Sequence, residues 1–212
     1  MKIIRSFSHN YIFYAPNNGY KEWYKDGVKG VLHRTDGPAV EYDNGDKYWY
    51  IDGELHREYG PAIDLVSGDR YWYVKGTFHR EGGPALEFND GTKEWYQHGI
   101  RHRVDGPAII CNNGTKEWYQ NDLLHREDGP ALEWADGDRE WYLNGVWHRK
   151  DGPAIIRSNG DKFWYQNDLL HREDGPAEEY ISGDKSYFYL GKQIKCNSNE
   201  EYFKLLKLRA FW

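Results

Sequence analysis

Sulfur-containing residues and long apolar runs are scarce in this chain of 212 residues. It has one methionine and two cysteines, Cys111 and Cys196, which lie far apart and in no spacing typical of a metal site. Reduced thiols in a reducing cytosol are therefore the simpler expectation. No stretch approaches the roughly 18 apolar residues of a membrane span, and the first residues do not resemble a signal peptide. We expect a cytoplasmic protein without a membrane span.

Basic residues are fewer than acidic ones. The formal net charge is −6 and the isoelectric point is about 5.8. Proteins that bind duplex nucleic acid usually carry a basic surface, because neutralising phosphates dominates their affinity. We therefore expect no duplex nucleic acid as a partner, although a local basic stripe is compatible with this composition.

Aromatic residues and turn formers are abundant. The chain has 10 Trp, 18 Tyr and 8 Phe, and its 23 Gly and 8 Pro are evenly scattered. Flat, stiff side chains suit pleated sheets, and regularly spaced Gly and Pro indicate many tight turns. The composition predicts an all-β protein built from many short strands.

A repeat of 23 residues organises the sequence. Its copies, which we number one to seven, begin at His33, His56, His79, His102, His125, His148 and His171. Each His is followed by Arg, and Gly-Pro-Ala begins four residues after each His. A Trp-Tyr pair recurs from Trp49-Tyr50 to Trp164-Tyr165, and copy seven has Tyr187-Phe188 instead. Seven copies in strict register leave almost no room for chance.

Each copy predicts short strands joined by hairpin turns. In copy five, "PALEW" and "REWYL" have strand composition and flank the turn "ADGD", and "NGVWHR" adds a turn and a third strand. Asn-Gly and Asp-Gly between such runs favour primed turns, whose twist matches that of the strands. One copy cannot bury its aromatic face alone, so stacked copies would form one elongated β-meander or solenoid domain.

The two ends differ from the repeat. Residues 1–32 contain a half-copy, "NNGYKEWYKDG", and form the predicted N-terminal cap; residues 33–194 are the seven copies; residues 195–212 are a helical cap. Ser198 and Glu201 have the spacing of a capping box, and the helical period places Tyr202, Phe203, Leu205 and Leu206 on one side. We expect this helix to cover the last strand of the array.

The Trp-Tyr-x-Asn-Gly-x-x-His core, the 23-residue period and the trailing glycine resemble the MORN (membrane occupation and recognition nexus) repeat, over about residues 17–194. The form "LHREDGPA" is similar to MORN-variant repeats of uncharacterised phage, bacterial and large-DNA-virus proteins. Here His-Arg-x-x-Gly-Pro-Ala replaces the usual His-Gly-x-Gly. The resemblance implies an elongated β-meander that associates with proteins and, in some members, is proposed to contact lipid.

The repeated His-Arg pair favours a structural role. An active site needs one unique arrangement of groups, whereas this pair occurs seven times. The histidines offer no tetrahedral metal set within a copy, and no nucleophile accompanies them. Adjacent carboxylates such as Glu178 and Glu179 are typical of a solvated strand end rather than of a glycosidase. We expect no catalytic residue, metal or cofactor, and interpret the motif as a fastening of the fold.

Function is then sought where the copies differ. Two isoleucines interrupt an acidic column, the Asp column is broken in copies two and three, and the position before each His varies. An apolar side chain in a charged row is typical of a contact surface. The candidate binding residues are Tyr59, Phe78, Arg101, Ile110, Trp147 and Ile156, with copies two to five favoured.

A second candidate is a column of cations beside the Trp column. Cations next to aromatic faces hold anionic ring compounds by charge and stacking. The residues of this alternative ligand column are Arg70, Lys93, Lys116 and Arg139, and neighbouring acids favour pairing within the sheet instead. We therefore predict a non-catalytic scaffold that recognises a protein, such as a phage or viral protein that blocks or sequesters a host factor. The alternative is a binder of nucleotides or glycans. The sequence does not indicate an oligomeric state.

Overall fold

The computed structural model describes residues 2–5, 11–15, 19–25 and 30–209. These residues form short strands, paired antiparallel, and one helix near the C-terminus, which confirms the all-β prediction. The chain divides into two compact units, Met1–His102 and Arg103–Trp212. Both contain the same repeated hairpins.

The first unit contains fifteen of the described strands. They are β1 (Lys2–Arg5), β2 (Tyr11–Ala15), β3 (Tyr20–Lys25), β4 (Val40–Tyr42), β5 (Lys47–Tyr48), β6 (Tyr50–Ile51), β7 (Glu54–Leu55), β8 (Ile63–Asp64), β9 (Arg70–Tyr71), β10 (Tyr73–Val74), β11 (Thr77–Phe78), β12 (Leu86–Glu87), β13 (Lys93–Glu94), β14 (Tyr96–Gln97) and β15 (Ile100–Arg101).

The second unit contains the remaining described strands and the helix. They are β16 (Ile109–Ile110), β17 (Lys116–Glu117), β18 (Tyr119–Gln120), β19 (Leu123–Leu124), β20 (Leu132–Glu133), β21 (Arg139–Glu140), β22 (Tyr142–Leu143), β23 (Val146–Trp147), β24 (Ile155–Ile156), β25 (Lys162–Phe163), β26 (Tyr165–Gln166), β27 (Leu169–Leu170), β28 (Glu178–Glu179), β29 (Lys185–Tyr189), β30 (Lys192–Ile194) and α1 (Asn199–Arg209).

Four strands make up one typical copy. In copy five, β20 and β21 form a hairpin, and β21 also pairs with β24 of the next copy, so these strands build a continuous meander. The last two strands, β22 and β23, form a separate two-stranded hairpin. We call these the main sheet and the side hairpins. The sequence predicted three strands for this copy, and the fourth arises because the main chain breaks pairing at Trp141.

The side hairpins turn through two residues with positive φ. In copy five these are Asn144 at 53° and Gly145 at 83°, which is the predicted primed turn. The first turn position is Lys75, His98 and Leu190 in other copies, with φ between 48° and 52°. Side chains that are neither Asn, Asp nor Gly are strained in this region.

The alanine of each Gly-Pro-Ala triplet is completely buried, from Ala39 to Ala177. Its carbonyl accepts the backbone N–H of a tryptophan in the preceding copy, for example Trp141 N–H to Ala154 at 2.7 Å. The next residue is a buried apolar side chain in most copies, such as Leu132 and Ile155. Only a small residue fits where the chain passes this closely, which accounts for the invariant alanine.

The C-terminal helix packs on the last copy, as predicted. Tyr202 is fully buried, and its hydroxyl donates to the carbonyls of Arg172 (2.5 Å) or Phe188 (3.1 Å). Its ring lies 5.0 Å from that of Tyr187, which replaces the tryptophan of the other copies. The prediction for Phe203 was wrong, because 39% of this residue is exposed.

The predicted capping box forms in altered geometry. The Ser198 hydroxyl accepts the N–H of Glu201 at 3.2 Å, and the Glu201 carboxylate accepts the N–H of Asn197 at 2.9 Å. In the standard box that second bond goes to the N-cap residue itself. At the other end, β1, β2 and β3 pair in series and β3 pairs with β4. The rest of the half-copy, at 17–18 and 26–27, lies outside the described residues.

Candidate functional site

The His-Arg-x-Asp-Gly-Pro-Ala motif folds into a corner centred on its arginine. In copy five the guanidinium of Arg126 lies 4.1 Å from the ring centroid of Trp118. Its Nε donates to Asp128 at 2.9 Å, and Nη1 donates to the carbonyl of Pro130 at 3.2 Å and to Glu133 at 3.2 Å. One arginine thus joins the tryptophan, the turn and the strand that follows it.

The glycine of the motif lies against the other side of this guanidinium. A Cβ built on Gly129 would stand 2.7 Å from Cζ of Arg126, closer than carbon atoms approach in proteins. The glycine is needed for space here. We call the stack of tryptophan, guanidinium and glycine the corner stack.

The same stack recurs along the described chain. The guanidinium lies 3.8–4.1 Å from the ring centroid in each of these pairs: Arg34 on Trp23, Arg57 on Trp49, Arg80 on Trp72, Arg126 on Trp118, Arg149 on Trp141 and Arg172 on Trp164. Cation–π contacts of this kind contribute about 0.5–2 kcal/mol each. The prediction that Arg and Asp fasten the turn is confirmed, and the tryptophan is a partner that the sequence reading missed.

The histidine that opens a copy bonds to the side-hairpin turn of the same copy, 19 residues further along the chain. The backbone N–H of Asn144 donates to Nδ1 of His125 at 3.1 Å, and that of Leu190 donates to His171 at 3.1 Å. The same bond reaches from Lys75 to His56 at 3.2 Å. Each of these imidazoles therefore joins the start of a copy to the side-hairpin turn of that copy. A neutral imidazole that accepts at Nδ1 carries its proton on Nε2.

In copies one, two, five and six, an aspartate of the main-sheet turn links that turn to the next copy. Asp138 accepts the backbone N–H of Ser158 at 2.6 Å, and Asp161 accepts that of Ile181 at 2.7 Å. Burial opposes ionisation of Asp138, but the bonds from Ser158 and Arg157 outweigh it and lower the carboxyl's pKa. These acids were expected to pair with the adjacent cations; their contacts are instead with the next turn.

The alternative ligand column lies on one side of the main sheet, where it alternates with the acidic column. Arg139 stands opposite Glu133, Lys116 opposite the same Glu133, and Arg70 opposite both Asp64 and Glu87. Lys93 stands opposite Glu87. All four cations are exposed, and Arg70 Nε donates to Asp64 at 3.4 Å. Each of the four cations thus faces an acid across the strand, and for Arg70 the structure shows an ion pair with that acid.

Three candidate binding residues occupy the position before the histidine. The Phe78 ring packs against Tyr73 at 4.3 Å and Tyr96 at 5.3 Å. The Trp147 ring lies between Tyr142 and Tyr165, and its indole N–H donates to the buried Glu140 at 2.9 Å. Arg101 stands across the hairpin from Tyr96. All three are half-buried and fill space between strands.

Tyr59 has a different environment. It replaces the Asp of the motif in copy two, and 88% of it is exposed. The neighbouring Arg57 keeps its bond to the Pro61 carbonyl at 3.1 Å, and burial lowers the pKa of its guanidinium. Tyr59 lines a groove of about 600 Å³ with Trp49 at its side.

Ile110 and Ile156 occupy the acidic column of the main sheet in copies four and six. Both are half-buried; Ile110 stands opposite Lys116, and Ile156 stands opposite Arg139 and Lys162. In copies three, five and seven, a glutamate at this position accepts from the corner arginine at 2.6–3.2 Å. The isoleucine therefore removes an acceptor from the corner as well as a charge from the sheet.

Copy six lacks a second acid. Lys150 stands where copies two, three, five and seven have glutamate. In copies five and seven that glutamate lies 3.9 and 3.7 Å from the histidine Nε2. Nε2 of His148 is buried and has no hydrogen-bond partner among the described residues. Sequence reasoning missed Lys150, although its change of sign within the column was visible.

A groove of about 720 Å³ lies beside this copy. Its lining includes Arg126, Trp141, Leu143, His148 and Lys150. A further groove of about 480 Å³ lies on the other side of Lys150, towards Trp164 and Arg172. Acidic side chains also line the two grooves, beside the basic, aromatic and apolar groups: Glu127, Asp128 and Asp151 in the first, and Asp151, Glu173 and Asp174 in the second.

No family model matches the chain, and no curated protein matches its sequence. The likeness to MORN repeats therefore rests on the residues of the repeat itself. Among the described residues no helix is both long and apolar enough to cross a membrane. Within the same part of the chain, no three His, Cys, Asp or Glu side chains form a group suited to a metal ion.

Proposed function

We propose that this protein is a non-catalytic binding scaffold that recognises a partner protein along the surface of its β-repeats. The observation that supports this proposal is the use of the repeated polar groups. The corner arginine, its aspartate and the histidine bond to one another and to neighbouring turns. Groups for a partner are therefore found where a copy departs from the pattern, at Tyr59, Ile110 and Ile156.

Two features favour a protein over a small anionic or sugar ligand. One face of each stacked tryptophan is covered by an arginine, which takes away a stacking surface for a base or a sugar ring. Most cations of the ladder also have a carboxylate across the strand. The exposed Tyr59 and the half-buried isoleucines instead suit the mixed apolar and polar contacts of a protein interface.

The resemblance to MORN-variant repeats supports a narrower form of the proposal. On that basis the protein is a phage or viral protein that binds a host factor in the cytoplasm and inhibits or sequesters it. The MORN resemblance implies association with proteins. The surface that serves the scaffold role would therefore also bind the host factor.

The experiment captures partners from a cell lysate on the immobilised protein and analyses the protein and low-mass fractions by mass spectrometry. Three variants restore the pattern of the other copies: Tyr59→Asp, Ile110→Glu and Ile156→Glu. Each adds a carboxylate that a corner arginine already binds elsewhere, so we expect folded proteins. We expect a stoichiometric protein partner whose capture at least one of the three reduces.

A control variant changes charge away from the departures. Lys192→Glu alters an exposed side chain in β30 and should leave capture unchanged, and circular dichroism verifies that all variants are folded. A nucleotide or sugar released on denaturation, without any protein partner, would overturn the proposal in favour of the ligand column.

A further inference from the structure

We infer that copy six binds an acidic segment of a partner protein, whose carboxylates take the places of the two glutamates that this copy lacks. The inference rests on the proposed function and names the chemistry of the partner. It is carried by four residues of one copy: Arg149, Lys150, His148 and Ile156. In the neighbouring copies, glutamates stand at the places of Lys150 and Ile156, beside the counterparts of His148 and Arg149.

Arg149 holds the first carboxylate position. It lies 4.1 Å from Trp141, donates through Nε to Asp151 at 3.1 Å and through Nη1 to the Pro153 carbonyl at 3.2 Å. These contacts orient the guanidinium as in copies five and seven, where Nη1 also binds a glutamate at 3.2 and 2.8 Å. In copy six, Ile156 stands at the position of that glutamate. The guanidinium is therefore fixed in advance in an orientation that receives one carboxylate oxygen.

His148 and Lys150 form the second position. In the neighbouring copies, Glu127 and Glu173 stand within 4 Å of the corresponding histidine Nε2. Lys150 cannot accept a hydrogen bond, and the buried Nε2 of His148 has no partner among the described residues. Nδ1 of His148 lies 3.0 Å from Oδ1 of Asn167, an acceptor, which favours the proton on Nδ1. We therefore assign the second carboxylate to the Lys150 ammonium, which stands at the place of the missing glutamate.

The local charge favours the same ligand. Arg139 and Lys162 flank Ile156 across the strands, and each faces an acid on its other side only. Between them the Ile156 side chain offers an apolar spot for the methylene groups of a glutamate. Charge complementarity of this kind steers association and selects the partner.

The partner is a peptide segment and not a nucleic acid. Most cations of the main-sheet column face an acid across the strand, so a phosphate backbone would meet alternating charges, whereas two separate carboxylates meet the local cations. Each vacant position corresponds to a single side-chain carboxylate, as Glu133 and Glu127 show in copy five. The groove of about 720 Å³ beside Lys150 gives room for the side chains of an extended segment.

The test measures binding of a fluorescein-labelled 12-residue Glu-rich peptide by fluorescence anisotropy, beside the same peptide with every Glu replaced by Gln. We expect the wild-type protein to bind the Glu peptide and to bind the Gln peptide at least about tenfold more weakly, because the Gln peptide loses the charged hydrogen bonds to the protein. The double variant Lys150→Glu/Ile156→Glu places carboxylates of the chain itself at both positions. We expect it to bind the Glu peptide at least about tenfold more weakly than the wild type does.

The matched control is Val66→Glu/Lys192→Glu, which changes the net charge by the same amount at exposed positions outside copy six. Its affinity should equal that of the wild type. Equal binding of the two peptides, no binding by the wild type, or equal losses in the control and in the copy-six variant would each overturn the inference.

A gain of binding provides the sharper result. Glu127→Lys/Glu133→Ile gives copy five the residues of copy six, and we expect one additional peptide site per chain. An unchanged stoichiometry in this folded variant would contradict the inference. A protein captured from lysate by a chain that does not bind the Glu peptide would leave the scaffold proposal in place and eliminate only the acidic segment.

Discussion

Copies five and six have nearly the same corner and differ in its acids. Both place an arginine 4.1 Å from a tryptophan, and both bond it to an aspartate and to a proline carbonyl. Copy five adds Glu127 and Glu133; copy six has Lys150 and Ile156. The comparison separates groups that build the repeat, which both copies keep, from groups that one copy has exchanged.

This difference has a physical meaning because the stack and the turn form without the two exchanged acids. Their removal leaves the stack and the turn in place, as the distances in copy six show. A repeat protein is stabilised by many similar interfaces, so one copy tolerates the loss of a surface bond. The position thereby becomes available for a partner.

The largest effect is expected from removing the corner arginine. Arg126→Ala loses the tryptophan contact and the bonds to Pro130 and Glu133, and should lower the free energy of unfolding by about 2–3 kcal/mol. Arg149→Ala, which has no glutamate to lose, should cost about 1 kcal/mol less. Urea unfolding followed by tryptophan fluorescence compares the two. Equal losses would contradict the assigned role of Glu133.

A second prediction tests the corner stack through its glycine. Gly129→Ala adds a methyl group where the Arg126 guanidinium lies, so the arginine must leave the tryptophan or the turn must shift. We expect the free energy of unfolding to fall by about 1–2 kcal/mol, less than for Arg126→Ala, because water solvates the displaced guanidinium. In the Arg126→Ala background the added methyl should be almost neutral, and urea unfolding of the double variant measures this coupling.

Exchanging the residues at positions 133 and 156 should reverse the difference in stability between the corners of copies five and six. Glu133→Ile removes the bond to Arg126 and should lower stability by roughly 0.5–1 kcal/mol, whereas Ile156→Glu should raise it by up to about 0.5 kcal/mol. Thermal unfolding of the two single variants and of the double exchange checks the signs. Stabilisation by Glu133→Ile would show that the acid does not support the corner.

The smallest expected effect concerns the histidine column. Burial, together with the neighbouring His98, lowers the pKa of His79 below its ordinary 6.5. A histidine with a lowered folded pKa stabilises the fold above pH 6.5, and this stability is lost as the pH falls from there through the folded pKa. His98→Asn removes the neighbouring imidazole and places at φ 52° a residue that accepts it more readily. Between pH 7 and 5, we expect the free energy of unfolding of this variant to fall less steeply than that of the wild type, as measured by urea unfolding.

The sequence predicted the repeat and its turns because both depend on local residue types. The 23-residue interval, the positive-φ turns and the roles of His, Arg and Asp follow from residues within one copy and its neighbour. The terminal helix was predicted for the same reason. Phe203 was misplaced because helical spacing does not specify how wide a face the last copy covers.

The packing of the varying positions could not be read from the sequence. Phe78 and Trp147 vary between copies, yet their rings fill gaps between tyrosines, because a half-buried site tolerates several large side chains. The importance of Lys150 also depended on structure, since only the structure shows that the buried Nε2 of His148, beside it, has no hydrogen-bond partner among the described residues. Positions that vary between copies thus include both side chains that pack between strands and side chains that are exposed.

The most direct measurement of the difference between the copies follows the arginine side chains by NMR. The Nε–Hε signals of Arg126, Arg149 and Arg172 would be assigned from single Arg→Lys variants and followed during titration with the Glu-rich peptide. We predict that the Arg149 signal shifts with saturation while those of Arg126 and Arg172, which already bind glutamates, stay in place. Equal shifts for all three signals, or none for Arg149, would contradict the account.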